Sequence, residues 1–149
     1  MDLAQKPPRV IWVVGVLTVL PLFVASAVFC YGPMHLRAAG LTSLIAYATA
    51  LLSYLGGIHA GLEIDKARPR WLVLGLSLAA PAVAWLLLLG GDDFGPAWQI
   101  AGVLTALLLQ WLWDATSHDG PSWRPRLRTL LTAGAAIALA VALEQALSL

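Results

Sequence analysis

The chain has 149 residues, 60% of them hydrophobic and 11% charged, with a mean hydropathy of +0.80 and a formal net charge of +1. Soluble domains run nearer about 45–50% apolar and about 25% charged, so water is excluded as the solvent for most of this surface and lipid takes its place. A single cysteine, Cys30, excludes an internal disulfide and any metal site built on paired thiolates, and it reads as a small apolar filler.

Crossing a hydrocarbon layer of about 30 Å takes about 20 mainly apolar residues in a helix. Five segments of the chain meet that test, at about 10–31, 41–62, 71–90, 96–114 and 129–147. The first carries Gly15 and Pro21 and ends at Gly32-Pro33. The second carries Ala46, Ala50, Ser53, Gly57 and Gly61 at helical spacing, with Gly56 beside them, and stops at the charged run from Glu63 to Arg70. The third carries Pro81 and ends in the turn cluster Gly90-Gly91-Asp92-Asp93-Phe94-Gly95-Pro96. The fourth holds Gln99 and Gln110, about three turns apart on one face, and closes on Asp114. A polar loop around His118–Arg126 precedes the fifth, which repeats Gly134, Ala138 and Ala142 every four residues. The expected fold is all-α: a single-domain polytopic membrane protein, an antiparallel bundle of five transmembrane helices. Continuous rather than alternating apolar runs exclude a β-barrel.

Basic residues orient such a bundle, because they stay on the cytoplasmic side. Lys6, Arg9, Lys66, Arg68, Arg70, Arg124, Arg126 and Arg128 fall on one side and only Arg37 on the other. The N-terminus is therefore expected in the cytoplasm and the C-terminus outside, in a cell inner membrane or its mitochondrial counterpart. Lys6 and Arg9 with Ala25-Ser26-Ala27 also outline a signal peptide, but the apolar run continues past that point.

Helices in lipid associate through small residues and polar contacts. Ser53, Gly56, Gly57 and Gly61 of the second helix and Gly134 and Ala138 of the fifth are the expected packing residues, and these two helices the expected tight pair. Trp12, Trp71, Trp98 and Trp123 lie near helix ends and read as an interfacial belt, with Trp111 and Trp113 near the cytoplasmic end of the fourth helix. His35 falls in a loop.

Ionisable groups inside a membrane are candidates for function. The expected topology gathers His59, Glu63, Asp114 and Arg128 into one cytoplasmic layer. Such a layer could relay a proton, bind an anionic group, or clamp helices through ion pairs. No H-E-x-x-H, P-loop, G-x-S-x-G or C-x-x-C signature occurs, and no metal, cofactor or nucleic-acid motif.

Tyr47 followed by Leu52-Ser53-Tyr54-Leu55-Gly56-Gly57-Ile58-His59-Ala60-Gly61 resembles the motif of a family of small bacterial and mitochondrial membrane proteins, catalogued as domain of unknown function 3429, which includes mitochondrial transmembrane protein 69. Asp114, and then Pro121, Trp123, Leu127, Arg128, Leu131 and Thr132, match further parts of the family pattern. Ala60 and Arg124 stand where the family has Trp and Tyr. The resemblance implies a five-helix inner-membrane protein without an established activity.

The sequence leads first to a non-enzymatic accessory or assembly protein, held in the bilayer and packed against a membrane-protein partner or a second copy. The alternative is binding or transport of a small amphipathic or anionic ligand at the polar layer. An enzyme acting on lipid or quinone ranks third.

Overall fold

The computed structural model describes residues 9–116 and 124–148. They form five helices, α1 (Arg9–Tyr31), α2 (Met34–Ile64), α3 (Trp71–Leu89), α4 (Gly91–Thr116) and α5 (Arg124–Leu147). There is no strand among the described residues. Four of the helices, α1, α2, α3 and α5, are long and apolar enough to cross a membrane. Gln99, Gln110 and Asp114 dilute the apolar run of α4, which falls outside that set.

Two helices begin earlier than their apolar runs. α2 starts at Met34, just after Pro33, so His35 and Arg37 lie in its first turns rather than in a loop. Arg37 Nε donates to Gly32 O at 3.0 Å and ties the turn to the new helix. α5 starts at Arg124, with Pro125 in the first turn, where a missing N–H costs nothing. The turn expected at 90–96 is narrower than its composition suggests. Residues 91–94 are helical, and the backbone breaks only at Gly95, whose φ of 77° and ψ of 167° suit glycine and the extended geometry required before Pro96.

The helices pack as a ring in chain order, closed by α1 against α5, with α2 also touching α4 across the middle. Leu22, Leu44, Leu52, Ile100, Leu107 and Leu139 meet at the centre, each essentially sealed from solvent. Much of the outer surface is apolar too: Leu72, Leu86, Leu109, Leu112 and Ile137 point outward. Water would not tolerate such a surface, and lipid requires it.

Close approaches and buried hydrogen bonds hold the ring. On the α1–α5 seam, Ser26 Oγ donates to Ala138 O at 2.9 Å, and the Gly134 backbone lies close to Val19. Tyr47 OH of α2 donates to Thr18 O of α1 at 2.8 Å. Gln99 Nε2 of α4 donates to Leu87 O of α3 at 2.9 Å, the interhelical bond expected of it. Cys30 is buried, as a filler should be.

The α2–α5 pair expected from the small-residue stripes does not form an extended contact; α1 and α4 lie between the two helices. Gly134 and Ala138 serve α1 instead. Within α2, Gly56 makes the close approach, to Ala80 and Ser77 of α3. Gly57 and Gly61 face open space, and a Cβ there would meet nothing within 4 Å. Ser53 is half-buried and donates to Thr49 O of its own helix at 3.0 Å. The cause is that Gly56 and Gly57 point 100° apart around the helix, and α3 takes only the Gly56 side.

Candidate functional site

The two helix ends that meet near the α4–α5 connection bring Asp114 and Arg128 together. Arg128 Nε lies 2.9 Å from Asp114 Oδ2, and its other guanidinium arm donates to Oδ1 at 3.0 Å. This is the planar, two-point geometry that makes an arginine–carboxylate pair strong. From α2, His59 Nε2 lies against the same Asp114 Oδ1. The three side chains are 8–16% exposed, so the cluster is largely withdrawn from solvent. Trp113 covers it, stacked on the His59 ring with centroids 4.4 Å apart and planes inclined by 28°. Trp111 Nε1 donates to Thr129 Oγ1 at 3.0 Å and adds a second α4–α5 tie beside it. One cluster thus joins three helices.

Glu63, expected in the same layer, is drawn elsewhere. Its carboxylate accepts from Lys66 Nζ at 2.8 Å, from Arg70 Nε at 3.0 Å and from the Arg70 backbone N at 2.7 Å. It sits on the same face of α2 as His59, one turn on, but the chain turns back at Lys66–Arg70 and delivers two cations to it. Glu63 is thus held at the last turn of α2, next to the charged connection. Glu63 is therefore a clasp on the α2–α3 connection, and the expected layer of four is a site of three.

Beside the cluster is a cavity of about 220 Å³ bounded by α1, α2, α4 and α5. It occupies the half of the bundle that holds the α2–α3 and α4–α5 connections. Gly15 and Val19 of α1, Leu55 and Ile58 of α2, Leu107 of α4, and Leu131 and Ala135 of α5 supply apolar walls. Polar atoms come from Thr18, Tyr54, Thr132 and Arg128. Leu107, at 1% exposure, forms the floor, whereas Val14 and Tyr54, at 56% and 63%, form a rim between α1 and α2. The cavity thus opens sideways, to the surface that faces lipid, and Arg128 reaches it from within.

Gln110 lies on α4 between Leu107 and Asp114, at positions that share one face of a helix. It is 7% exposed, and its Nε2 has no hydrogen-bond acceptor in the described structure. Interhelical bonding, expected of both glutamines, holds for Gln99 and not for Gln110.

Trp113 was legible only as a belt residue, because nothing in the spacing showed that it would face His59. Thr18, Tyr54 and Thr132 had no polar pattern to mark them. Lys66, three residues beyond Glu63, did carry a signal, the spacing of a helical ion pair. Trp123, expected at the interface, lies outside the described residues. No group of three metal-ligating side chains occurs among the described residues.

Comparison with known proteins places the chain. A family model described as "Protein of unknown function (DUF3429)" matches residues 7–144. Transmembrane protein 69 of Xenopus tropicalis is 33% identical over 104 residues, covering 64% of this chain and 38% of that protein. The matched region of this chain thus spans well under half the length of that relative. No solved structure matches the chain. The chain belongs to the DUF3429 family and is a membrane protein with transmembrane helices.

Proposed function

We propose that this member of the DUF3429 family binds a small amphipathic molecule that enters sideways from the bilayer and places its polar end at the Arg128–Asp114–His59 cluster. The observation that carries this reading is that Arg128 both lines an apolar, laterally open cavity and is locked by a buried carboxylate. A helix clamp needs the ion pair but not the cavity. A binding site in a bundle needs both, apolar walls and a few fixed polar groups between helices.

In this reading α4 is a fifth span, the N-terminus is cytoplasmic, and the site lies in the cytoplasmic half of an inner membrane; eight of the nine basic residues support that orientation. The reading is of a binding protein and not an enzyme: among the described residues the carboxylate of the cluster, Asp114, is occupied by Arg128 and His59. The test is native mass spectrometry of the chain released from its own membranes in mild detergent. A retained small molecule, lost in an Arg128→Leu variant that keeps its helix content, supports the reading. A chain that carries nothing and binds no added amphiphile refutes it.

A second reading, an accessory subunit, is supported by the open Gly57–Gly61 face of α2, which a helix from a partner or a second copy could approach closely. Crosslinking from a cysteine placed at Ala50, with no product other than the monomer, would count against it.

A further inference from the structure

We infer that the cavity selects an uncharged head group, the size of one ring or a glycerol unit, which carries carbonyl or hydroxyl oxygens on an apolar tail; this deepens the binding reading above and rests on it. Three features of the site lead there.

The first is charge. Among the described residues Arg128 is the one charged side chain on the cavity wall, and its guanidinium is already matched by the Asp114 carboxylate at 2.9 and 3.0 Å. The Asp114 carboxylate thus cancels the Arg128 guanidinium. A second carboxylate or a phosphate brought into this apolar space would be a buried charge without a counter-ion, which is strongly unfavourable. A neutral head meets no such penalty.

The second is hydrogen bonding. The wall offers a ligand groups that can donate. The Thr132 and Tyr54 hydroxyls on the wall can donate, and Gln110, which is not itself on the wall but lies one turn from the floor residue Leu107 on α4, holds a buried amide N–H without an acceptor among the described residues. A pure hydrocarbon would leave that amide unsatisfied. An oxygen acceptor on the head satisfies it.

The third is size and shape. An engineered protein cavity of about 150 Å³ holds one benzene, so 220 Å³ holds one substituted ring or a unit of similar bulk. The volume excludes a whole lipid. A tail must therefore leave through the rim between Val14 and Tyr54 and lie along α1 and α2. Further out, the Tyr47–Thr18 bond closes that seam and keeps the head in the inner half.

Two sources share this chemistry, a quinone ring with its tail and a monoacylglycerol, and one experiment separates them. The purified full-length chain in dodecyl maltoside at pH 8 is titrated with a decyl-tailed benzoquinone, with 1-oleoylglycerol and with oleate, and bound stoichiometry is read by native mass spectrometry. The expected result is saturable one-to-one binding of a neutral probe, at least tenfold tighter than oleate. Which neutral probe binds identifies the source. Gln110→Leu should weaken that probe at least tenfold without loss of thermal stability, a combination that a structural role for Gln110 would not produce. Thr132→Phe, which fills the cavity, should abolish binding with helix content retained; if it fails to fold, Ile58→Phe near the rim makes the same test. Oleate binding as tightly as the neutral probes overturns the head-group assignment and leaves the binding reading standing. No saturable probe at all, or binding untouched by filling the cavity, overturns both.

Discussion

Gly56 and Gly57 are adjacent in sequence and opposite in surroundings, and alanine at each should have opposite effects. A Cβ on Gly56 would come within 2.7 Å of Ala80 Cβ and 2.9 Å of Ser77 O. Neither is the far end of a flexible side chain, so α2 and α3 would have to move apart. A Cβ on Gly57 would meet nothing within 4 Å. Both positions are inside a continuous helix, where replacing glycine by alanine gains about 0.5–1 kcal/mol. Gly57→Ala should therefore raise stability by about that amount. Gly56→Ala gains the same but loses about 1–3 kcal/mol to overpacking, for a net loss of up to about 2.5 kcal/mol. In a chain of this size 1 kcal/mol shifts Tm by about 2–4 °C, so the two variants should melt several degrees apart. Thermal unfolding by circular dichroism in dodecyl maltoside reads the difference. If Gly57→Ala lowers Tm as much as Gly56→Ala, the Gly57 face is packed and the arrangement of α2 described above is wrong.

Three further outcomes follow from the polar groups. Asp114→Ala leaves Arg128 buried without its carboxylate and should cost about 3–5 kcal/mol, while Asp114→Ala with Arg128→Leu should cost less than the sum by about 0.5–3 kcal/mol; additive losses in a double-mutant cycle would mean that the pair is not coupled. Gln110→Leu removes a buried amide without an acceptor and should stabilise the ligand-free chain by about 1–3 kcal/mol, and a lower Tm would show that the amide is satisfied. Glu63 accepts from both Lys66 and Arg70 and so holds the α2–α3 connection. Glu63→Gln removes the carboxylate those two cations share and should lower Tm, and an unchanged Tm would show that the clasp carries no stability.

Long apolar runs made the five helices legible, since only a helix satisfies its own backbone in lipid. The starts of α2 and α5 were not legible from the same signal, because Met34–Gly40 and Arg124–Arg128 hold helical geometry in sequences too polar or too mixed to register as spans. Packing was harder still. In a soluble helix the buried stripe stands out against polar neighbours, but lipid-facing and protein-facing residues of a span are equally apolar. Gly56 and Gly57 were therefore indistinguishable until α3 was seen beside one of them. The site was half legible. Topology placed His59, Asp114 and Arg128 at one level, and they do meet there. Glu63 shared the level and the helix face, but the return of the chain through Lys66 and Arg70 gave it nearer partners.

The ion cluster and the cavity explain each other. A buried arginine needs a carboxylate within reach, and Asp114 supplies one in two-point geometry. Once the charge is matched, Arg128 can border an apolar space without forcing water into it, and the space remains fit for a lipid-soluble molecule. A clamp alone would be more stable with that space filled: larger side chains at Thr132 and Ala135 would close much of it and add buried apolar contact. These small residues keep it open beside Val14 of α1 and Tyr54 of α2, exposed residues of its lining. Packing therefore argues for an occupant, and the matched charge argues that the occupant is neutral.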